Sequence, residues 1–313
     1  MITDNPLVTI VLPIYNEQEN IPELYRRLIE NIGLFSDNFE LIFINDGSFD
    51  NSYKLLSDLG EKDKRVKVLS FSRNFGHQLA ISAGIDHSKG KAVILMDADL
   101  QDPPEILPEI LKVWERGADV VYAVRKNRKE GIFKRIAYFS FYRFLQLIAK
   151  IDIPLDSGDF CLLDRRVVEV LKMLPERNRF LRGLRSWVGF KQVPFPYERD
   201  ARFAGDVKYT FRKLVKLGLD GIFSFSTFPL RLATYLGLIT STLGMFYLVF
   251  VIAFYFFEGN SPQGWTTLIV LFLVVSGIQM IILGVIGEYI ARIYEETKKR
   301  PNYIIKEYLN YDK

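Results

Sequence analysis

Oxygen-bearing side chains crowd into one short stretch of the chain. Asp97, Asp99, Gln101 and Asp102 follow the apolar run Ala92–Met96 and precede Pro103 and Pro104. The run has the length and composition of a buried strand, which the two prolines stop. Alternate residues of an extended chain share a face. Asp97, Asp99 and Gln101 are therefore expected to offer oxygens on one side, in an open site at the carboxyl end of a strand. Open α/β sheets bind ligands there. Hard oxygen donors suit Mg²⁺ or Mn²⁺ over zinc, and such an ion would neutralise a diphosphate leaving group. By itself the pattern also describes a strand end with solvated acids. The metal reading rests on what the rest of the chain adds.

The elements needed to position these residues can be read in order. Val8–Pro13 is a strand, and a helix with Asn20 as N-cap and Pro22 in its first turn runs to Gly33. Strands are expected at 41–44 and 66–71, at 120–124 and, broken by prolines, at 193–197. Helices are expected at 52–59, 77–88, 108–116 and 167–173. Asn45-Asp46-Gly47-Ser48 is a turn. Cys161-Leu162-Leu163 reads as an edge strand. Strands alternating with helices at this spacing predict an α/β fold with a mostly parallel sheet covered on both faces.

The 313 residues carry a net charge of +4, too small to argue for a nucleic-acid partner. The single cysteine, Cys161, allows no internal disulfide and lies among apolar neighbours as a packed thiol would. Met1–Pro6 lacks the pattern of a cleavable signal peptide. Basic residues cluster between Arg125 and Arg143. From 131 to 150, aromatic and basic residues separate onto two helical faces, as in a helix lying in a membrane interface or packed on its own domain. Phe211–Phe225 looks like a second amphipathic helix.

Leu232–Phe257 and Trp265–Gly287 contain no charged residue. Each exceeds the ~20 residues that a helix needs to cross the hydrocarbon layer. The connector Glu258–Gly264 has no base, whereas Arg231, Arg292, Lys298, Lys299 and Arg300 flank the outer ends. The positive-inside rule then places both chain ends in the cytoplasm and the connector outside. The expected organisation is a catalytic domain over 1–210, a juxtamembrane helix at 211–230, a two-span hairpin at 231–291 and a basic cytoplasmic tail at 292–313.

The order of the motifs is more telling than any one of them. Val11-Leu12-Pro13-Ile14-Tyr15-Asn16-Glu17, Asn45-Asp46-Gly47-Ser48, Ser72-Arg73-Asn74-Phe75-Gly76-His77 and Asp97-Ala98-Asp99-Leu100-Gln101-Asp102-Pro103-Pro104-Glu105 together resemble the family-2 glycosyltransferases of the GT-A fold. Gly158-Asp159-Phe160, Arg179-Phe180-Leu181-Arg182-Gly183 and Arg202-Phe203-Ala204-Gly205 resemble the polyprenyl-phosphate branch, which includes dolichyl-phosphate mannose synthases and GtrB-type bactoprenol glucosyltransferases. The two apolar spans match the GtrB-type layout.

The resemblance implies roles. Pro13, Tyr15, Glu17, Asp46 and Asp97 would contact the nucleotide-sugar donor. Asp99 and Gln101 would hold Mg²⁺ or Mn²⁺. Arg125, Arg135, Arg202 and Lys208 would meet the acceptor phosphate, and Asp156, Asp159 and Arg125 would stand at the chemical centre. Cys161 occupies a position where relatives often carry arginine. The implied reaction is inverting transfer of a sugar to a polyprenyl (undecaprenyl) phosphate at the cytoplasmic membrane face. Glucose from UDP-glucose is the expected donor sugar, with mannose from GDP-mannose as an alternative. A non-enzymatic flippase subunit or scaffold is the rival from another class, and homo-oligomerisation is left open. A processive polysaccharide synthase would need a Gln-x-x-Arg-Trp motif, whereas Trp187 follows Leu184-Arg185-Ser186.

Overall fold

The computed structural model describes residues 6–33, 35–126, 157–177, 179–199, 223, 226–258 and 264–311. Two compact units emerge. One comprises Met1–Gln146, Ile151–Gly221 and Arg300–Lys313, and the other comprises Leu147–Lys150 and Ile222–Lys299.

The first unit is built on one eight-stranded sheet. Its strands are β1 (Val8–Ile14), β2 (Phe39–Asn45), β3 (Val66–Phe71), β4 (Ala92–Leu95), β5 (Val120–Lys126), β6 (Ser157–Asp164), β7 (Gln192–Glu198) and β8 (Ile305–Leu309), in the spatial order β7-β5-β6-β4-β1-β2-β3-β8. Strands β4, β1, β2 and β3 are mutually parallel. They are linked through α1 (Ile21–Ile32), α2 (Ser52–Lys62) and α3 (His77–His87). All seven residues of β2 are buried, as befits a central strand covered on both faces. In α1, Ile21, Leu24, Leu28 and Ile32 form the buried stripe that the 3.6-residue period dictates. Asn20 holds the N-cap position, but its side chain caps no backbone group and instead donates to Glu17.

Two glycines permit close approaches. A Cβ on Gly84 of α3 would meet Val11 Cγ1 at 2.1 Å, so α3 lies directly on β1. Gly47 has φ +66°, and a Cβ there would come within 2.5 Å of the Arg73 and Asn74 backbone.

Two sequence expectations are corrected. The segment around Cys161 is not an edge strand: β6 runs antiparallel between β4 and β5. The edge on that side is β7, parallel to β5. Pro194 and Pro196 suit an edge, where missing N–H donors leave no gap in a central ladder. The tail is also more than a basic segment. Residues 305–309 form β8, antiparallel to β3, and close the opposite edge. Tyr303 stacks on Phe71 at 5.2 Å and donates to Asp86 at 2.9 Å, while Asn310 donates to the carbonyls of Gly60 and Val66.

Helix α4 (Leu107–Glu115) leads into β5, and α5 (Arg165–Met173) and α6 (Leu181–Trp187) lie between β6 and β7. The second unit contains α7 (Phe228–Glu258) and α8 (Trp265–Thr297), both long and apolar enough to cross a membrane. The Tyr289 hydroxyl donates to the Ser226 carbonyl at 2.7 Å within this unit.

Candidate active site

Strand directions decide what can meet. The carboxyl ends of β1, β2, β4 and β5 lie along one edge of the sheet. Because β6 is antiparallel to β4 and β5, its first residues, including Asp159, reach the same edge. Because β7 is parallel to β5, Tyr197 lies opposite Arg125 at that edge too.

The loops after β1 and β2 are stitched together by reciprocal bonds. Ser48 Oγ accepts from Asn16 N, Asn16 Oδ1 from Phe49 N, and Ser52 Oγ from Glu17 N, each at 3.0 Å. Asn16 adopts φ 54°, a left-handed conformation that asparagine tolerates. The mesh holds Asn16 and Glu17, Pro13 precedes it within β1, and Tyr15 packs edge-on against the exposed ring of Phe49 at 6.1 Å. Asp46 is buried and already engaged. Its two oxygens accept from Phe75 N at 2.6 Å and Gly76 N at 2.9 Å, so it anchors the entry to α3.

The alternating face expected for Asp97, Asp99 and Gln101 does not form. The chain leaves β4 at Leu95 and turns, with Leu100 at φ 58°. Asp99 is buried, not open as the sequence reading expects, and its Oδ1 accepts from Gln101 N at 3.2 Å. Asp97 and Asp99 nevertheless stay close enough to act on one another. Burial, helped by the charges of Asp159 and Asp99, pushes the Asp97 carboxyl up.

Among the described residues no three His, Cys, Asp or Glu side chains converge on a metal site. The arrangement still fits a hard divalent ion. Asp97 and Asp99 are two carboxylates whose charges act on one another, and Mg²⁺ commonly takes one or two carboxylates and completes its shell with substrate phosphates and water.

Asp159 is held on both of its oxygens. Arg182 Nε donates to its Oδ1 at 2.7 Å, and Gln78 Nε2 to its Oδ2 at 3.2 Å. Burial alone would raise it, but the Arg182 and His77 charges hold it well below the usual carboxylate range. His77 Nε2 lies 3.5 Å from both Asp97 Oδ1 and Asp159 Oδ2. Against the effect of burial, these carboxylates lift His77 to about 9. Cys161 is buried, and burial pushes its thiol up, as expected of a packed side chain and not of a nucleophile.

Asp102 is also buried. It accepts from the Tyr197 hydroxyl, and Arg199 Nε approaches its Oδ1 at 3.4 Å. Burial and the charge of Asp97 push Asp102 up to about 6. Asp156, Arg135, Arg202 and Lys208, with most of the expected 131–150 and 211–230 helices, lie outside the described residues. His77, which the sequence places as a surface or nucleotide-adjacent polar residue, stands between two acids, and Gln78, Arg182, Asp102, Tyr197 and Arg199 at this edge were not singled out as site residues. Their signal was at hand only in part, since Gly76-His77 and Arg182-Gly183 sit inside the motifs that carry the resemblance.

A parallel-centred sheet with paired acids at its carboxyl edge is the architecture of a GT-A nucleotide-sugar transferase. Residues 9–172 match the model of glycosyl transferase family 2, and residues 228–293 match the GtrB C-terminal hairpin. The chain belongs to glycosyl transferase family 2 and is a glycosyltransferase, which sets aside the flippase-subunit and scaffold alternatives. It is 50% identical to the uncharacterized glycosyltransferase YkcC of Bacillus subtilis (strain 168), covering 95% of this chain and 93% of that one. It is 45% identical to the prophage bactoprenol glucosyl transferase homolog of Escherichia coli (strain K12), covering 96% and 98%. It is 44% identical to the bactoprenol glucosyl transferase of Shigella phage SfX, again covering 96% and 98%. Among solved structures, the mannosyltransferase PcManGT from Pyrobaculum calidifontis, in complex with GDP-Man and Mn²⁺, aligns over 96% of this chain and 77% of its own, with 15% identity and a TM-score of 0.46.

Proposed function

We propose that the protein moves glucose from UDP-glucose to undecaprenyl phosphate at the cytoplasmic face of the cell membrane. The observation that carries this reading is the likeness over about 300 residues, hairpin included, to proteins named bactoprenol glucosyl transferases. Net charge placement around the two spans supports the cytoplasmic assignment.

The chemistry suits the residues. The bond between the sugar C1 and the diphosphate oxygen breaks as a lipid-phosphate oxygen bonds to C1 from the opposite face, inverting that centre. The acceptor is already anionic, so it needs positioning and charge neutralisation more than a strong general base. Asp99 and Gln101, with Asp97 beside them, are the residues that would hold Mg²⁺ or Mn²⁺. Bound there, the ion supplies charge neutralisation for the departing diphosphate. Pro13, Tyr15 and Glu17 line the donor side on their rigid mesh, and Asp46 fixes the Phe75–Gly76 backbone beneath it. Asp159, oriented by Arg182 and His77, and Arg125 stand toward the acceptor. Arg135, Arg202 and Lys208 are assigned to the lipid phosphate by their place in the sequence.

A donor screen tests the reading. Membranes containing the protein are supplied with undecaprenyl phosphate and, in turn, UDP-glucose, GDP-mannose and UDP-N-acetylglucosamine. UDP release that depends on lipid and on UDP-glucose is expected. Release only with another donor would refute glucose, and release with none would refute the acceptor.

A further inference from the structure

We propose that Arg199 and Arg125 form a paired binding site for a phosphoryl anion, held in position by Asp102 and Tyr197. The inference deepens the reading above, in which the site handles a diphosphate and a lipid phosphate, and it assigns Arg199 a role that no motif resemblance supplied.

The scaffold is set by strand pairing. Strands β5 and β7 are parallel, with Arg125 opposite Tyr197, and Arg199 immediately follows β7. Both arginines therefore emerge at the carboxyl edge of the sheet, beside the loop that carries Asp97, Asp99 and Gln101. Asp102, 2% exposed, sits behind them. Its Oδ1 accepts from the Tyr197 hydroxyl and faces Arg199 Nε at 3.4 Å. The Arg125 guanidinium faces the same tyrosine hydroxyl. Its Nη2 lies over Gly158, 3.7 Å from where a Cβ would stand, which is ordinary van der Waals distance, so the guanidinium packs on this stretch of β6.

Charge and hydrogen bonding are both left incomplete. Asp102 carries at most one negative charge against two guanidinium cations. The charge of Arg199 also acts on Asp97, but His77 already draws on that carboxylate at 3.5 Å. The Nε atoms of both Arg125 and Arg199 are buried and have no hydrogen-bond partner among the described residues. The 3.4 Å approach of Arg199 to Asp102 is an ion contact without a directed bond. Buried donors without acceptors are costly, and a buried cation more so. The group that would satisfy two neighbouring planar forks is an anion with several oxygens in a compact tetrahedron. Asp102 and Tyr197 are positioning residues here. They orient the forks from behind and leave the faces toward the sheet edge for ligand.

Phosphoryl oxygens could come from the donor diphosphate or from the lipid phosphate. Isothermal titration of the full-length protein in nanodiscs separates the two, with inorganic pyrophosphate as one probe and farnesyl phosphate as the other. Arg199→Gln is expected to weaken at least one probe about tenfold, equivalent to about 1.4 kcal/mol. Arg199→Lys should recover part of that loss, because a lysine offers charge without the fork. Tyr197→Phe, which keeps both cations and loosens their support, should weaken the same probe to a smaller extent. Loss confined to pyrophosphate assigns the pair to the donor, and loss confined to farnesyl phosphate assigns it to the acceptor. Binding of both probes by Arg199→Gln within twofold of the parent overturns the proposal, as does a parent that binds neither. Melting temperatures are recorded for each variant, and if Arg199→Gln does not fold, Arg199→Lys and Tyr197→Phe carry the same decision. Because binding is read and not turnover, a parent that binds these anions but transfers no sugar would refute the transfer reading and leave this one standing.

Discussion

Arg182 Nε donates to Asp159 Oδ1 at 2.7 Å, and the pair ties α6 to the first residues of β6 at the reactive edge of the sheet. Both side chains are largely shielded from solvent. An acid whose carboxylate is favoured in the folded state contributes stability above its ordinary value of 3.8 and loses it as pH falls through the lower folded value. Asp159→Asn should therefore cost about 3 kcal/mol at pH 7, in the range for breaking a buried pair, and should flatten the acid limb of a denaturation profile below pH 3.8. An unchanged acid limb would refute the coupling.

His77 gives the opposite sign. Its proton is held more tightly in the folded protein, so its contribution is complete below the ordinary value of 6.5 and is lost as pH rises through about 9. With divalent ions chelated, the melting temperature should fall across that interval. His77→Asn should remove the slope, and equal slopes in parent and variant would contradict the bridge to Asp97 and Asp159.

Asp99→Asn keeps the volume and the acceptor for Gln101 N, so the buried turn should survive. Transfer should drop at least about 100-fold, comparable to removing one element of electrostatic stabilisation. EDTA should abolish transfer in the parent, and Mg²⁺ or Mn²⁺ should restore it. Full turnover after exhaustive chelation would exclude the metal assignment.

The native cysteine is buried, so a new one reports alone. Asn260→Cys, in the connector between the apolar helices, should react with an impermeant thiol reagent added outside intact cells. Arg202→Cys should react only after lysis. The reverse pattern would overturn the proposed cytoplasmic placement.

Tyr303 tests the closing strand. Its ring stacks on Phe71 and its hydroxyl donates to Asp86, both within the catalytic unit. Tyr303→Ala should destabilise that unit by about 3 kcal/mol, as aromatic truncations in packed sites do. Denaturant unfolding followed by tryptophan fluorescence reads the change, and a shift below about 0.5 kcal/mol, the size of an ordinary surface substitution, would mean that β8 merely rests on the sheet.

Much of this protein was legible along the chain because the information is local. Alternating apolar runs and turn residues announced β1 to β5 and the helices between them. Two uncharged stretches announced α7 and α8 through length and composition alone, and the order of short motifs pointed to the family. Pairing across the sheet is not local. A run such as Phe160–Leu163 is equally apolar at an edge or in the middle, and only the partners on either side made β6 internal. Residues 305–309 look like a solvated tail until the open edge of β3 is there to receive them. Extended-chain alternation could not foresee that the backbone turns after Leu95 and buries Asp99. Nor could spacing reveal that His77 would stand between two acids, or that Asp102, Tyr197 and Arg199 would meet behind Arg125. Those relations join residues many positions apart in the chain, and they arise only when antiparallel β6 and parallel β7 bring their ends to the edge where β4 and β5 stop.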